Sequence, residues 1–195
     1  MKREILKILA CLKCRSYLRL ESENETRGRI LKGKLYCPKC KSGAEIVDEI
    51  IYFRNFKKNY KRLRVSFEKE ASKEWLKHFP GQELIALRKE WDWMIGKLIL
   101  GQSKIHLDWC TGTGRFLRKI SKMFRGNVIV LERDQATCVW LKSFMEKIGK
   151  YSKVSIICAD ARNMPIRSNS IDSASSWHGL DEPNIKNAIN ESKRV

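Results

Sequence analysis

Downstream of Gly101, short apolar runs alternate with longer amphipathic ones. Lys104 to Trp109 reads as a strand that enters a glycine turn, and Arg115 to Phe124 as the helix after it. Asn127-Val128-Ile129-Val130-Leu131 is a second strand, Gln135 to Ile148 a second helix and Val154-Ser155-Ile156-Ile157-Cys158 a third strand. Asn184 to Val195 has a helical pattern again. Strand–helix alternation of this kind predicts an α/β fold with a parallel sheet and helices on its faces.

The first hundred residues are patterned differently. Tyr17-Leu18-Arg19-Leu20 alternates as a strand, Glu21 to Gly28 reads as a polar loop, and Arg29-Ile30-Leu31 to Leu35-Tyr36 returns as strand. Phe56, Tyr60, Leu63 and Phe67 fall at helical spacing, with Arg54, Lys57, Lys58, Lys61, Arg62 and Arg64 on the remaining face. His78-Phe79-Pro80-Gly81 breaks the chain, and Leu84, Leu87, Trp91, Met94, Ile95 and Leu98 mark one apolar helix face. Three segments follow: 1–53, a linker over 54–100, and 101–195.

Composition changes the picture chiefly through charge. With 43% hydrophobic residues, the 195-residue chain can bury a full core and a small satellite, which excludes disorder as its main state. No apolar run approaches the ~18 residues of a membrane span, and Met1 to Lys7 has no signal-peptide core. A soluble, cytoplasmic protein with no membrane partner is expected. The formal net charge is +18, and it is not a tail: residues 1–100 carry 24 basic and 13 acidic side chains, residues 101–195 carry 16 and 9. A surface this positive attracts polyanions, nucleic acid above all, although a lysine-rich proteome would give the same bias.

Four of the seven cysteines form two pairs, Cys11-Leu12-Lys13-Cys14 and Cys37-Pro38-Lys39-Cys40, separated by 22 residues. Two sulfurs so spaced on a tight turn face one tetrahedral ion, and the second pair closes a four-thiolate site with no open position. The spacing predicts a zinc ribbon with structural zinc, against the alternatives of plain reduced thiols or disulfides. Cys110, Cys138 and Cys158 are expected as small core residues.

The glycine turn is Asp108-Trp109-Cys110-Thr111-Gly112-Thr113-Gly114. Its two glycines let the backbone approach a ligand and expose helix N-terminal N–H groups. The third glycine of a dinucleotide fingerprint would fall at 117, which is Leu, and no GxxxxGK[ST] occurs. S-adenosylmethionine remains as the nucleoside-type ligand for such a loop.

These residues resemble the class I, Rossmann-like S-adenosylmethionine-dependent methyltransferases, with Cys110 where many members have glycine. Residues 5–53 resemble the zinc ribbons that accompany some of them, with Leu12 in place of a proline and Glu49 and Ile51 in place of a glycine and a proline. The resemblance implies that Asp108, Cys110, Gly112 and Gly114 bind the cofactor, and that Glu132 holds both ribose hydroxyls. It further implies that Asp160, followed by Ala161, accepts from the adenine amino group. Asn169 to His178 resembles the fourth strand and its approach, which places Trp177 and His178 beside the acceptor pocket; no catalytic residue is assigned. Asp134 is read as a helix cap and Asp172 as a turn residue.

Family members continue with a further turn and three strands, so the sheet is expected to be truncated after the fourth strand. The chain is read as a fragment, or as a short relative whose sheet a protein partner completes or covers. No [DNS]PP[YFW] or Pro-Cys sequence is present, which disfavours amine and cytosine-C5 acceptors. The charge and the ribbon favour RNA, ribosomal or transfer, with ribosomal RNA as the expected partner. The alternatives are an inactive, methyltransferase-like RNA- or ribosome-binding protein and a small-molecule, quinone-type enzyme.

Overall fold

The computed structural model describes residues 1–54, 92–97, 101–112, 114–176 and 184–195. Eight strands form one sheet. The N-terminal segment supplies β1 (Arg19–Thr26), β2 (Arg29–Tyr36), β3 (Gly43–Val47) and β4 (Ile50–Tyr52). The later segment supplies β5 (Ile105–Trp109), β6 (Asn127–Glu132), β7 (Val154–Cys158) and β8 (Ser173–Ser175), with helices α1 (Arg115–Met123), α2 (Gln135–Lys147) and α3 (Ile185–Arg194). The order across the sheet is β1-β2-β3-β4-β7-β6-β5-β8.

The second half follows the predicted pattern closely. Strands β5 to β8 are all parallel. Asp134 caps α2 by accepting from Thr137 N at 2.7 Å, and Asp172 Oδ2 accepts from the N–H groups of Lys104 and Ile105 at 2.8 Å each. Residues 92–97 are helical, within the helix predicted from the apolar face Leu84 to Leu98, with Ile95 buried and Trp93 exposed. Lys57, Lys58, Lys61, Arg62, Arg64 and the Phe56–Phe67 pattern lie outside the described residues, as do Trp177 and His178. Among the described residues, no helix is long and apolar enough to cross a membrane.

The N-terminal half corrects two expectations. Glu21 to Thr26 is not a loop but the continuation of β1, paired with β2 through Thr26↔Arg29. Its residues are exposed on both faces, so no alternation marks them; Arg3 and Lys32 pair with Glu25 and Glu23 there. The second concerns the module's place in the molecule. Strand β4 pairs in parallel with β7, through Ile51↔Ile157 and Tyr52↔Cys158, so the sheet runs without a break from the cysteine module into the later strands. The module thereby covers an edge of β7 whose N–H and C=O groups would otherwise lie open.

A two-residue turn, Asp48-Glu49, joins β3 to β4 with both residues left-handed (φ 48° and 67°). That backbone suits a tight hairpin and favours glycine at its second position. Glu49 occupies it with its carboxylate paired to Arg29. Arg29 also donates to the carbonyls of Ser152 and Val154, and its guanidinium lies 4.5 Å from the Tyr151 ring centroid.

Two apolar layers sandwich the sheet. On one face Leu107, Trp109, Ile129, Leu131, Ile157 and Ile51 meet the N-terminal turn residues Ile5 and Leu9, the loop residues Met164 and Ile166, and Ala188 of α3. On the other face Val128, Val130, Ile156, Ile50 and Tyr52 meet Phe116, Ile120, Cys138, Leu141 and Met145 of α1 and α2. The strands' period of two sends alternate residues into each layer.

Candidate cofactor site and cysteine centre

The carboxyl ends of β5, β6 and β7 lie side by side, because Trp109 is paired with Leu131 and Glu132 with Cys158. The loops leaving these ends carry Gly112, Glu132 and Asp160. In open parallel sheets, ligands bind in this position.

Gly112 (φ 55°) and Gly114 (φ 70°) both occupy the left-handed region. A Cβ at Gly114 would lie 2.5 Å from Leu141 Cδ2, so this glycine lets α1 settle against α2. A Cβ at Gly112 would meet nothing within 4 Å, so this glycine serves the backbone turn and leaves the space before the loop open. Cys110, expected as a core residue, is instead half-buried and left-handed (φ 53°), in the conformation glycine takes most easily. Cys138 and Cys158 are buried as expected.

Glu132 stands where the loop can use it. Its Oε2 accepts from Gly112 N at 3.0 Å, and its Oε1 accepts from the N–H groups of Arg133 and Asp134 at 2.7 and 3.1 Å. A carboxylate offers about four lone-pair sites. With three sites taken, holding two ribose hydroxyls requires one of these N–H groups to give way. Asp160 is similarly engaged: Oδ1 accepts from Arg162 N and Nε at 2.9 Å each, and Oδ2 from Arg162 Nη2 at 2.6 Å. The Arg162 guanidinium holds this carboxyl down at about 2, so it is ionised at any working pH. An acceptor position remains on Oδ2 for an amino group. Ala161 is buried in the apolar layer beside the loop.

Asp108 is fully buried on β5, and burial pushes its carboxyl up to about 7. Thr111 Oγ1 donates to the Asp108 carbonyl at 2.8 Å, and Ser175 Oγ donates to Asp108 Oδ1 at 3.2 Å. Behind it sits a group that the sequence motifs do not include. His106, two residues earlier and on the same face, lies between Ser173 Oγ (2.9 Å from Nδ1) and Ser175 Oγ (2.9 Å from Nε2). When Asp108 is ionised, Ser175 gives it its one proton and so accepts from His106 Nε2–H, and Nδ1 accepts from Ser173. The four side chains form one directed chain, Ser173 to His106 to Ser175 to Asp108. Burial holds the His106 pKa down at about 4, so the ring is neutral. The signal in the sequence is a histidine at strand period from an aspartate inside an apolar run.

The four cysteines converge as their spacing predicts. Cys11 Sγ lies 3.3 Å from Cys40 Sγ and Cys14 Sγ 3.4 Å from Cys37 Sγ, and all four sulfurs lie within 4.8 Å of one another. A tetrahedral ion with sulfurs at ~2.3 Å has S···S edges of about 3.8 Å, so the set fits one metal ion. The two knuckles repeat one backbone design. Cys11 N donates to Ser16 O and Arg15 N to Cys11 O, while Cys37 N donates to Ser42 O and Lys41 N to Cys37 O, all at 2.7–2.9 Å. Arg15 and Lys41 close the turns with φ 59° and 61°. Burial raises the Cys37 thiol to about 11, whereas a hydrogen bond with the Ser42 hydroxyl lowers that of Cys40. Because Cys37 follows β2 and β2 runs parallel to β7, the centre lies at the same end of the sheet as Gly112 and Asp160.

A family model described as a methyltransferase domain matches residues 107–195. No curated protein matches the chain in sequence. Among solved structures, the chain is similar to a proposed S-adenosyl-L-methionine-dependent methyltransferase from Methanococcus maripaludis, at 16% identity and a TM-score of 0.53 over 73% of this chain and 61% of that one. It is also similar to the [4+2]-cyclase SpnF (21%, TM-score 0.51, 55% of this chain and 40% of that one). A proposed sarcosine dimethylglycine methyltransferase from Galdieria sulphuraria is a third (17%, TM-score 0.50, 55% and 42%). The chain thus spans between two fifths and three fifths of the length of these proteins. With strands β5 to β8 in parallel order and the glycine loop at their carboxyl ends, the later segment has the class I, Rossmann-like fold of these structures, and residues 107–195 match the methyltransferase domain model.

Proposed function

We propose that the protein transfers the methyl group of S-adenosylmethionine to RNA, and that its four-cysteine centre holds a structural zinc ion. The observation that carries the cofactor reading is the gathering of Gly112, Glu132 and Asp160 at adjoining strand ends, with the open space at Gly112 before them. Glu132 would take the ribose, Asp160 the adenine amino group, and Asp108 would stand behind the loop as a buried carboxyl. The cofactor supplies an electrophilic methyl on sulfur. The chain's part is to orient it and to exclude water from the path of the acceptor.

The acceptor reading rests on charge. The net charge of +18 is shared by both halves, and the knuckle residues Lys13, Lys39 and Lys41 are exposed at the cofactor end of the sheet. Phosphates passing that end would meet them on the way to the methyl group. Among the described residues no cysteine is in a disulfide, which accords with a reducing, cytoplasmic site of action.

A cyclase shares this fold, so binding of S-adenosylmethionine alone does not decide the chemistry. The test is transfer of a labelled methyl group to ribosomal RNA, transfer RNA, an unstructured RNA of equal length and a quinone. Label on one structured RNA supports the proposal; label on the quinone alone moves the small-molecule reading ahead. Salt-sensitive binding of all RNAs alike, without transfer, moves the inactive-binder reading ahead.

A further inference from the structure

The first cysteine knuckle reaches directly into the loop that carries Asp160. Arg15 closes the Cys11–Cys14 turn with its backbone, donating Arg15 N to Cys11 O at 2.9 Å. Its side chain leaves the module altogether. Nη1 donates to the carbonyl of Met164 at 2.6 Å, and Nη2 to Asn163 Oδ1 at 2.6 Å and Glu191 Oε2 at 3.1 Å. The same Glu191 Oε2 accepts from Met164 N at 2.7 Å, and Glu191 is held in turn by Arg194 Nε and Nη2 at 2.7 and 2.8 Å. Arg194 Nη2 also donates to Met164 O at 3.2 Å.

Both backbone groups of Met164 are therefore clamped, its N–H by Glu191 and its carbonyl by Arg15 and Arg194. Asn163 N in turn donates to Asp160 O at 3.0 Å, which closes the turn on which the Asp160 carboxylate stands. Flanking contacts hold the same loop to the module: Ala10 N donates to Pro165 O at 2.9 Å, and Leu9 bridges Ile166. The second knuckle repeats the first except at two positions, Pro38 for Leu12 and, here, Lys41 for Arg15. A guanidinium can satisfy three acceptors in fixed directions, as this clamp requires; an ammonium is a point charge without that fork.

We infer that the cysteine centre and the cofactor loop are energetically coupled through Arg15, so that metal in the centre raises affinity for S-adenosylmethionine and the cofactor raises affinity for the metal. The metal fixes Cys11 and Cys14, their turn fixes the Arg15 backbone, and the guanidinium fixes Asn163 and Met164. Without the metal the turn loosens, and the loop must be ordered when the cofactor binds. Such a coupling is reciprocal by thermodynamic necessity. Arg15 is a positioning residue in this scheme and touches neither ligand. The inference rests on the reading of Asp160 as a cofactor contact.

The test uses the full chain, loaded with zinc or stripped by a chelator under reducing conditions, with metal content measured. Titration calorimetry with S-adenosylhomocysteine gives the affinity. Stripping wild type should weaken binding by about 5- to 150-fold, the usual range of such couplings. Zinc-loaded Arg15→Ala should lose a comparable factor while keeping its metal, and stripping it should add less than about twofold. Arg15→Lys serves if the alanine variant does not fold; it should show the same loss of metal dependence. Loaded Arg15 variants that bind like wild type, or that respond to stripping as wild type does, overturn the inference. If wild type binds no S-adenosylhomocysteine, the cofactor reading fails, and hydrogen exchange decides the coupling alone. The Met164 amide should then lose protection on stripping in wild type but not further in the variants; indifference to metal in wild type overturns the coupling.

Discussion

The backbone N–H of Gly112 donates to Glu132 Oε2 across 3.0 Å, joining the glycine loop after β5 to the end of β6. Twenty residues apart in the chain, the two meet because the strands are paired in register up to Trp109 and Leu131. The same carboxylate is the candidate ribose acceptor, so the group that shapes the loop is also positioned to receive the ligand. Glu132→Ala should weaken S-adenosylhomocysteine binding by about 1.5–3 kcal/mol, the range for losing a charged acceptor. Calorimetry that finds equal affinities removes Glu132 from this role.

Cofactor binding near neutral pH should release a proton. Burial raises the Asp108 carboxyl to about 7, so part of it is protonated there. A cationic ligand beside the loop favours the ionised form. Calorimetry in two buffers of different ionisation enthalpy should show a net proton release on binding at pH 7. Asp108→Asn should abolish it, and a release unchanged in the variant would assign the proton elsewhere.

His106 and Asp108 should act on stability with opposite signs. The folded pKa of His106, about 4, lies below its usual 6.5, so the unfolded chain binds more protons between those values and stability falls on acidification through that window. The folded pKa of Asp108 is raised from 3.8 to about 7, so the folded chain binds more protons there and stability falls as pH rises through it. The two slopes partly cancel in wild type. In Asp108→Asn the urea midpoint should rise from pH 4.5 to 6.5, and in His106→Leu it should fall. Parallel curves for the two variants would refute the assignment.

Loss of the metal centre should destabilise the whole sheet. Because Ile51 is paired with Ile157, the N-terminal segment is not expected to unfold alone, as an independent module would. Cys37→Ser should lower the single melting transition by about 10 °C or more, at ~2–4 °C per kcal/mol for a chain of this size. Fluorescence of Trp109 on β5, with the other tryptophans replaced, reports it. A Trp109 transition that stays in place would show that the two segments melt independently.

Cys110→Gly should be neutral or stabilising by up to about 1 kcal/mol. A left-handed L-residue costs roughly 1–2 kcal/mol, and glycine's extra unfolded-state entropy returns about half of that. Cys110→Val should cost stability, since a branched residue resists φ 53° still more. Chemical denaturation of the three proteins checks both directions.

The order β5-α1-β6-α2-β7, the cap at Asp134 and the four-sulfur cluster follow from patterns written in the chain: apolar period, turn chemistry and ligand spacing. The glycine turn was legible from its two glycines after a strand, and Glu132 was picked out by the family resemblance. The extension of β1 through Glu21 to Thr26 was not, because a strand exposed on both faces carries no alternation and is held by its partner β2 alone.

What the chain alone determined, then, was the chemistry available: four thiolates at ribbon spacing, two glycines after an aspartate, two further carboxylates at strand ends and an excess of positive charge. Tertiary structure decided how these groups act on one another. Only the parallel pairing of β4 with β7 puts the cysteine centre at the cofactor end of a shared sheet, and only then can Arg15 reach Met164, 149 residues further along. Likewise, burial between β5 and β8, and no property of histidine or aspartate by itself, moves the His106 and Asp108 pKa values in opposite directions. Sheet register and dielectric environment are set by residues far apart in sequence, so no local reading of the chain contains them.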